Sequence, residues 1–398
     1  MADRLRQENL LPMSLTQARE RLHELLQNPS KTQTEQDIAA LLQQALDNHL
    51  APAAQLYLLQ LRLKRHFIED FGVLSEAEAA AFIRLEHAAA TGATLAAEQT
   101  YPPVTQVELL PAPDLISTHG WYDWVLADNP HIPPAYFHHL PMALASPAFM
   151  QRAFLPLRGT VWLRLGCNAL SDINTFAEHV LTHLVEPITL ITTYGNNAIP
   201  GDLQPGVADK ILNHPAVRAW YTQNYDGTQT HAKLLPVPIG LDATNGNMAT
   251  LRSMQMQAPA WRDRRAMVLA DVQHKTHPER AMMQAQLADC PHVEWLTTRL
   301  PFAAAMQKYG RYRFALSARG RGLDCYRTWE LLLMKTIVIV KTSPLDALYK
   351  NLPVVIVSDW KAARDMHNLH RWSAQFADLL QQESSAWLDK ARWVQRAP

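Results

Sequence analysis

Between residues 14 and 92 apolar side chains return every three or four positions, and no strand-like alternation interrupts them. Leu15, Ala18, Leu22 and Leu25 make one stripe, and Ile38, Leu41, Leu42, Ala45 and Leu46 make a second. Stripes this wide suit helices lying on a core rather than the narrow seam of a coiled coil. Ser14 with Gln17, Thr34 with Asp37 and Ser75 with Glu78 have the spacing of capping boxes or close variants, in which two side chains satisfy the unpaired N–H groups of a helix start. No period of solenoid length recurs. The pattern predicts a small helical bundle that serves packing or a protein partner.

From about residue 101 the pattern changes. Pro102, Pro103, Pro111 and Pro113 mark a linker, after which short apolar runs alternate with helical segments. TVWLRLG (160–166) and ITLITTY (188–194) read as buried strands, with DINTFAEHVLTHL (172–184) as a helix between them. KLLPVPIGL (233–241) is interrupted by prolines and reads as a connection between domains rather than central sheet, because proline cannot donate to a ladder. A second series follows: AMVLA (266–270), the helix HPERAMMQAQLADC, RFALS (313–317), the helix CYRTWELLLM, TIVIVK (336–341) and PVVIVSDW (353–360). Thr276 with Glu279 forms a further capping box, and Pro278 sits in the first turn of its helix. Continuous apolar strands alternating with helices imply parallel sheets covered on both faces. The expected fold is α/β, a pair of Rossmann-like domains with parallel sheets preceded by an α-helical region. The expected boundaries are 1–100, 101–250 and 251–398.

Composition narrows the function. Lys plus Arg and Asp plus Glu number 37 each, and 48% of residues are hydrophobic. A neutral chain argues against a general nucleic-acid binder, so any anion site must be local. Cys167, Cys290 and Cys325 are far apart and form neither a disulfide framework nor a zinc pattern. The beginning MADRLRQENLLPMSL lacks the apolar stretch of a secretory signal, and no run approaches a membrane span. The expected home is the cytoplasm, with peripheral membrane attachment left open.

The chemistry concentrates in FALSARGRGLDCYRTWE (314–330). A buried strand hands over to a helix through a loop with Arg319 and Arg321 set among Gly320 and Gly322. Glycines there allow close approach of a ligand or a positive φ. Asp324 stands where a residue would cap the helix, and a helix N-terminus flanked by arginines suits a phosphate. Glu330, one helical step from Arg327, could accept hydrogen bonds from a ribose diol. The same residues also describe an ordinary turn with solvated arginines and a surface Arg327–Glu330 pair worth little. GxGxxG and GxxxxGK[ST] motifs are both absent, which weakens redox and ATPase readings.

The stretch from Phe314 to Trp360 resembles the C-terminal signature of exostosin-like glycosyltransferases. The family pattern is an apolar strand, a Ser/Pro-Arg-Gly loop, an Arg-x-Trp-Glu-like helix start, a second apolar strand, a short loop, then Leu-Pro and a later Asp-Trp, and this chain matches those elements in order. Upstream, Asn224 and Pro238-Ile239-Gly240 in LNHPAVRAWYTQNYDGTQTHAKLLPVPIGLD are similar to the family's approach to its interdomain linker. The resemblance spans residues 160–365 and is specific over about fifty of them; the helical region has no counterpart. It implies a GT-B architecture and transfer of a sugar from a nucleoside diphosphate donor, usually a UDP-sugar, to a hydroxyl of a glycan or glycoconjugate. It also implies inversion and no metal held by a DxD motif, which this sequence lacks. Carried over, Arg319 and Arg321 would face the donor phosphates and Glu330 the ribose, with arginines and helix N-termini stabilising the departing diphosphate. No cofactor beyond the donor, no bound metal and no nucleic acid are expected.

Arg280 and Lys275, after the strand AMVLA, are candidates to complete a phosphate clamp, with Arg327 beside them; His277 reads as a capping or surface residue. A general base would come from the first Rossmann-like domain, with His119, Asp172 and Asp123 as candidates. Trp121, Tyr122 and Trp124 suit a core better than a sugar platform. His138-His139 lacks the carboxylate or cysteine company a metal needs. Rival readings are a transferase using a GDP- or CMP-sugar and a catalytically inactive GT-B-fold scaffold docking through its helices.

Overall fold

The computed structural model describes residues 14–27, 33–66, 76–93, 114–118, 120–132, 134–137, 150–152, 154–166, 172–242, 247–271 and 276–395. They fall into two compact units divided at Leu110/Pro111, with Pro130–Pro156 and Glu178–His183 also belonging to the first. The first unit contains helices α1 (Leu15–Gln27), α2 (Gln33–Leu46), α3 (Pro52–His66) and α4 (Glu76–Thr91). The expected stripes are its core: Ala18, Leu22 and Leu25 pack with Ile38, Leu42 and Ala45 and with Leu59 and Leu63 of α3.

The Ser14 box forms as read, with Ser14 N donating to Gln17 Oε1 at 2.7 Å and Gln17 N to Ser14 Oγ at 3.3 Å. The Thr34 reading changes, and the Ser75 reading lies partly outside the described residues. α2 begins at Gln33, so Thr34 lies inside it rather than before it. Glu78 is buried against Lys64, at 3.0 Å, and Ser75 lies outside the described residues. This pair ties α4 to α3, and burial lowers the Lys64 pKa against the pull of Glu78.

The second unit holds both sheets. Helix α5 (Tyr122–Asp128) precedes β1 (Gly159–Gly166); then come α6 (Asp172–His179), β2 (Ile188–Gly195), α7 (Val207–Asn213), β3 (Val217–Thr222) and β4 (Leu234–Pro236). The four strands pair in sequence order, all parallel. The KLLPVP segment is therefore not only a connection. Its first residues form the edge strand β4, which tolerates Pro236 because an edge need not donate on both sides.

Helix α8 (Asn247–Gln257) leads into β5 (Arg265–Ala270), α9 (Pro278–Leu287), β6 (Val293–Trp295), α10 (Phe302–Tyr309), β7 (Tyr312–Leu316), α11 (Tyr326–Leu333), β8 (Ile337–Lys341), β9 (Val354–Val357) and α12 (Met366–Phe376). This second sheet has the order β6-β5-β7-β8-β9, again parallel throughout. Ile337, Val338, Ile339 and Val340 are all buried, as a strand covered on both faces requires. The α/β class with paired Rossmann-like sheets and a helical N-terminal region is thus what the chain adopts. Among the described residues no helix is long and apolar enough to cross a membrane.

Candidate functional site

The strand order locates the site. The chain leaves β5, lays β6 on one side of it, and returns to lay β7 on the other. Ligands of open parallel sheets sit outside the carboxyl ends of the strands at such a reversal. A cleft of about 380 Å³ opens there, with Asp271 following β5 and Ser317 following β7 on its walls. Arg299 and Phe302 enter it from the approach to α10, and Asn196 and Ile239 border it from the first sheet's side. This size lies at the lower end of ordinary small-molecule pockets.

The floor is an ionic network. Arg327 Nη1 lies 3.0 Å from Glu330 Oε2 and Arg327 Nη2 3.5 Å from Asp271 Oδ2. The guanidinium stands over the Tyr309 ring at 5.0 Å. Burial raises the Glu330 pKa, which Arg327 opposes and Asp242 and Asp271 reinforce. The pair is not a solvated surface pair, because Glu330 is buried. It presents a constrained carboxylate to the cleft.

The loop 317–325 is held from three directions. From behind, Arg280 donates through Nε to Arg319 O at 2.8 Å and through Nη2 to Ala318 O at 3.1 Å. From the first sheet, Asn224 Oδ1 accepts from Asp324 N at 2.9 Å while its Nδ2 donates to Gly195 O at 3.1 Å. From the connector, Ile239 N donates to Asp324 Oδ2 at 2.7 Å. Asp324 also accepts from Cys325 N and from Trp329 Nε1, both at 2.8 Å through Oδ1.

This geometry corrects one expectation and narrows another to one of its alternatives. The residue at the cap position of α11 is Cys325, which makes no side-chain cap, and Asp324 is a buried strap between loop and connector. Gly320 and Gly322 do not take positive φ. A Cβ at Gly322 would lie 2.9 Å from the Asn224 amide, so the side chain of Asn224 fills the space that the glycine leaves. Asn224 itself sits at φ 56, a region asparagine enters more readily than most residues.

The loop separates its two arginines. Arg321 is exposed and lines the cleft, whereas Arg319 lines a smaller cavity on the other side, between the ends of β7 and β8. Arg280 and Arg327 line the cleft with Glu330. Arg299 adds a cation that the sequence reading missed; its place depends on the crossover from β6 and no local motif marks it. Lys275, His119 and the His138-His139 pair lie outside the described residues. Asp172 is fully buried, with its Oδ2 2.8 Å from Arg164 Nε. Asp123 pairs with Lys390. His277 caps α9, its Nδ1 accepting from Glu279 N at 3.2 Å. Burial, Arg319 and Arg280 hold its pKa below the usual value against the pull of Glu279. Trp121 and Tyr122 are buried.

No protein-family model matches the chain, and no curated protein matches it. Among solved structures it is similar to a UDP-forming α,α-trehalose-phosphate synthase from Burkholderia xenovorans, at 10% identity over 58% of this chain and 72% of that one, with a TM-score of 0.33. It is also similar to an α,α-trehalose 6-phosphate synthase from Burkholderia multivorans, at 11% identity over 61% of this chain and 73% of that one, with a TM-score of 0.36. Likeness at that level does not bear on activity, so the cleft is read from its own geometry.

Proposed function

We propose that the protein is a glycosyltransferase that moves a sugar from a nucleoside diphosphate donor, in the first instance a UDP-sugar, to a hydroxyl of a glycan or glycoconjugate. The observation that carries this reading is the cleft at the β5/β7 reversal, where exposed Arg321 and Arg299 stand on the same walls as buried Glu330. Cations suit a diphosphate and an oriented carboxylate suits a ribose diol. The exostosin-like pattern from Phe314 to Trp360 supports the same assignment. In this reading Arg321, with Arg299, stabilises the charge that develops on the departing diphosphate, Glu330 accepts from the ribose, and Arg327 orients Glu330. Arg280 acts by holding the loop at its carbonyls, and the transfer is inverting and independent of metal.

Of the three candidate bases, two lie among the described residues and are already engaged. Asp172 is already engaged by Arg164 and sealed from solvent, a poor position for taking a proton from a substrate. With Asp172 engaged and Asp123 paired with Lys390, His119 is the base we propose from the sequence. His119→Asn is expected to abolish the acidic limb of the pH–rate profile for sugar transfer; an unchanged limb would remove His119 from the mechanism.

The donor assignment is tested by titrating uridine, guanosine and cytidine diphosphates into the wild type and Arg321→Ala. One nucleotide should bind measurably, and the substitution should weaken it by about tenfold, the worth of one charge-assisted contact. Absence of binding by all three, or equal affinity in the variant, would defeat the assignment. Slow hydrolysis of the matching nucleotide sugar without acceptor would separate an active transferase from an inactive scaffold.

A further inference from the structure

The cavity behind the loop has a chemistry of its own. It measures about 220 Å³ and lies between the carboxyl ends of β7 and β8, with Arg319, Lys341, Glu279, Thr342 and Ser343 on its walls. Arg319 Nε is buried there and meets no hydrogen-bond partner among the described residues. A buried guanidinium N–H left unmade is costly, so its orientation calls for an acceptor. Lys341, the last residue of β8, brings a second cation from the adjacent strand.

The remaining groups indicate what that acceptor is. Ser343, on the cavity wall, accepts from Leu345 N through Oγ at 3.2 Å, and its O–H can still donate. The Thr342 hydroxyl is spent on Asp346, and Ser317 and Thr328 are bonded to each other. Among the described residues on the walls Glu279 is the one carboxylate, set against the two cations Arg319 and Lys341. Burial lowers the pKa of neighbouring His277, and the charge of Arg319 adds to that shift.

We infer that this cavity is a second anion site that takes a phosphate group, either inorganic phosphate or a small phosphate monoester. A guanidinium, an ammonium and a hydroxyl arriving from the ends of two strands match a tetrahedral oxyanion better than a planar carboxylate. The volume exceeds what a bare phosphate needs, as it would hold about seven waters at ~30 Å³ each. A few carbons can therefore accompany the anion. The site is separated from the cleft by the loop 317–325 and does not depend on what the cleft binds.

Calorimetric titration of inorganic phosphate into the full chain is expected to give saturable binding. Arg319→Gln and Lys341→Gln should each weaken it by about tenfold or more. Arg321→Gln, on the cleft side of the loop, should leave it within about twofold. Thermal unfolding in phosphate-free buffer checks that each variant is folded. Glycerol phosphate separates the two sources: tighter binding than inorganic phosphate points to an ester, equal binding to the free ion. No saturable phosphate binding by the wild type overturns the inference, as does binding that survives Arg319→Gln and Lys341→Gln but is lost in Arg321→Gln. Uridine diphosphate titrated into the same variants keeps the two readings apart, because its binding should follow Arg321 and be indifferent to Arg319.

Discussion

A chain carrying Gly240→Ala is expected to unfold roughly 6–12 °C below the wild type, at about 2–4 °C per kcal/mol for a unit of this size. Gly240 sits at φ +72, and a Cβ there would lie 2.4 Å from Ile116 O, 2.6 Å from Ile116 C and 2.9 Å from Ser117 N. All three are backbone atoms, so no rotamer change relieves the overlap. Nor can the opposing segment withdraw easily. Leu241 N donates to Ile116 O at 2.9 Å, and Ile116 N donates to Leu388 O at 2.7 Å, so movement there breaks other bonds. The left-handed backbone alone costs about 1–2 kcal/mol for a residue with a Cβ, and overpacking adds about 1–3 kcal/mol. A combined loss of about 3 kcal/mol or more follows. The consequence reaches the cleft, because neighbouring Ile239 is the residue whose N–H the Asp324 strap holds. Scanning calorimetry that finds the variant within 2 °C of wild type would show that the connector bends more easily than these contacts imply.

What the sequence disclosed depended on how local the determining contacts were. β5, β7 and β8 could be read from their apolar runs because burial on both faces removes polar alternation. β3 and β6 could not. VRAWYT carries exposed Arg218 near its start, and VEW is three residues long with only Val293 buried. Each is too short or too mixed for periodicity to separate it from loop. Glu330 was legible as a partner of Arg327 because the two are three residues apart on one helix. Asn224 as a buckle was not, since it meets Asp324 across a separation of 100 residues. Asp324 itself was misread for the same reason. Its place before α11 suggests a cap, but Ile239 N and Trp329 Nε1 compete for the carboxylate and define its position. The Arg-Gly-Arg loop was legible as a concentration of charge. That the loop turns its two arginines to opposite sides is a property of the sheet edge, where no local spacing records it.

Asp324→Ala should show how much the strap holds. Three N–H groups, those of Ile239, Cys325 and Trp329, converge on this fully buried carboxylate. Removing it leaves them without an acceptor, at about 1–3 kcal/mol each before relaxation. A loss of about 3 kcal/mol or more is expected, together with weaker binding of the nucleotide proposed for the cleft, since the loop bearing Arg321 loses its tie to the connector. The charge on Asp324 gives a second, sharper readout. Burial raises its pKa from 3.8 to about 6, against the opposing pull of its N–H donors. A folded pKa above the unfolded one means that the folded state holds the proton more tightly. The associated stability is therefore complete below about pH 4 and is lost as pH rises through 6. Two pKa units correspond to about 3 kcal/mol. Tyr349 and Cys325 also face this carboxyl, but both have raised values and stay neutral across that interval. Asp324→Asn removes the titration while keeping the shape, although its amide sets N–H against N–H. The Asn variant's stability deficit relative to wild type should thus be larger at pH 4 than at pH 7. Denaturant unfolding of the two proteins at both pH values measures this difference directly, and a deficit that stays constant or grows with pH would mean that Asp324 does not titrate as its burial requires.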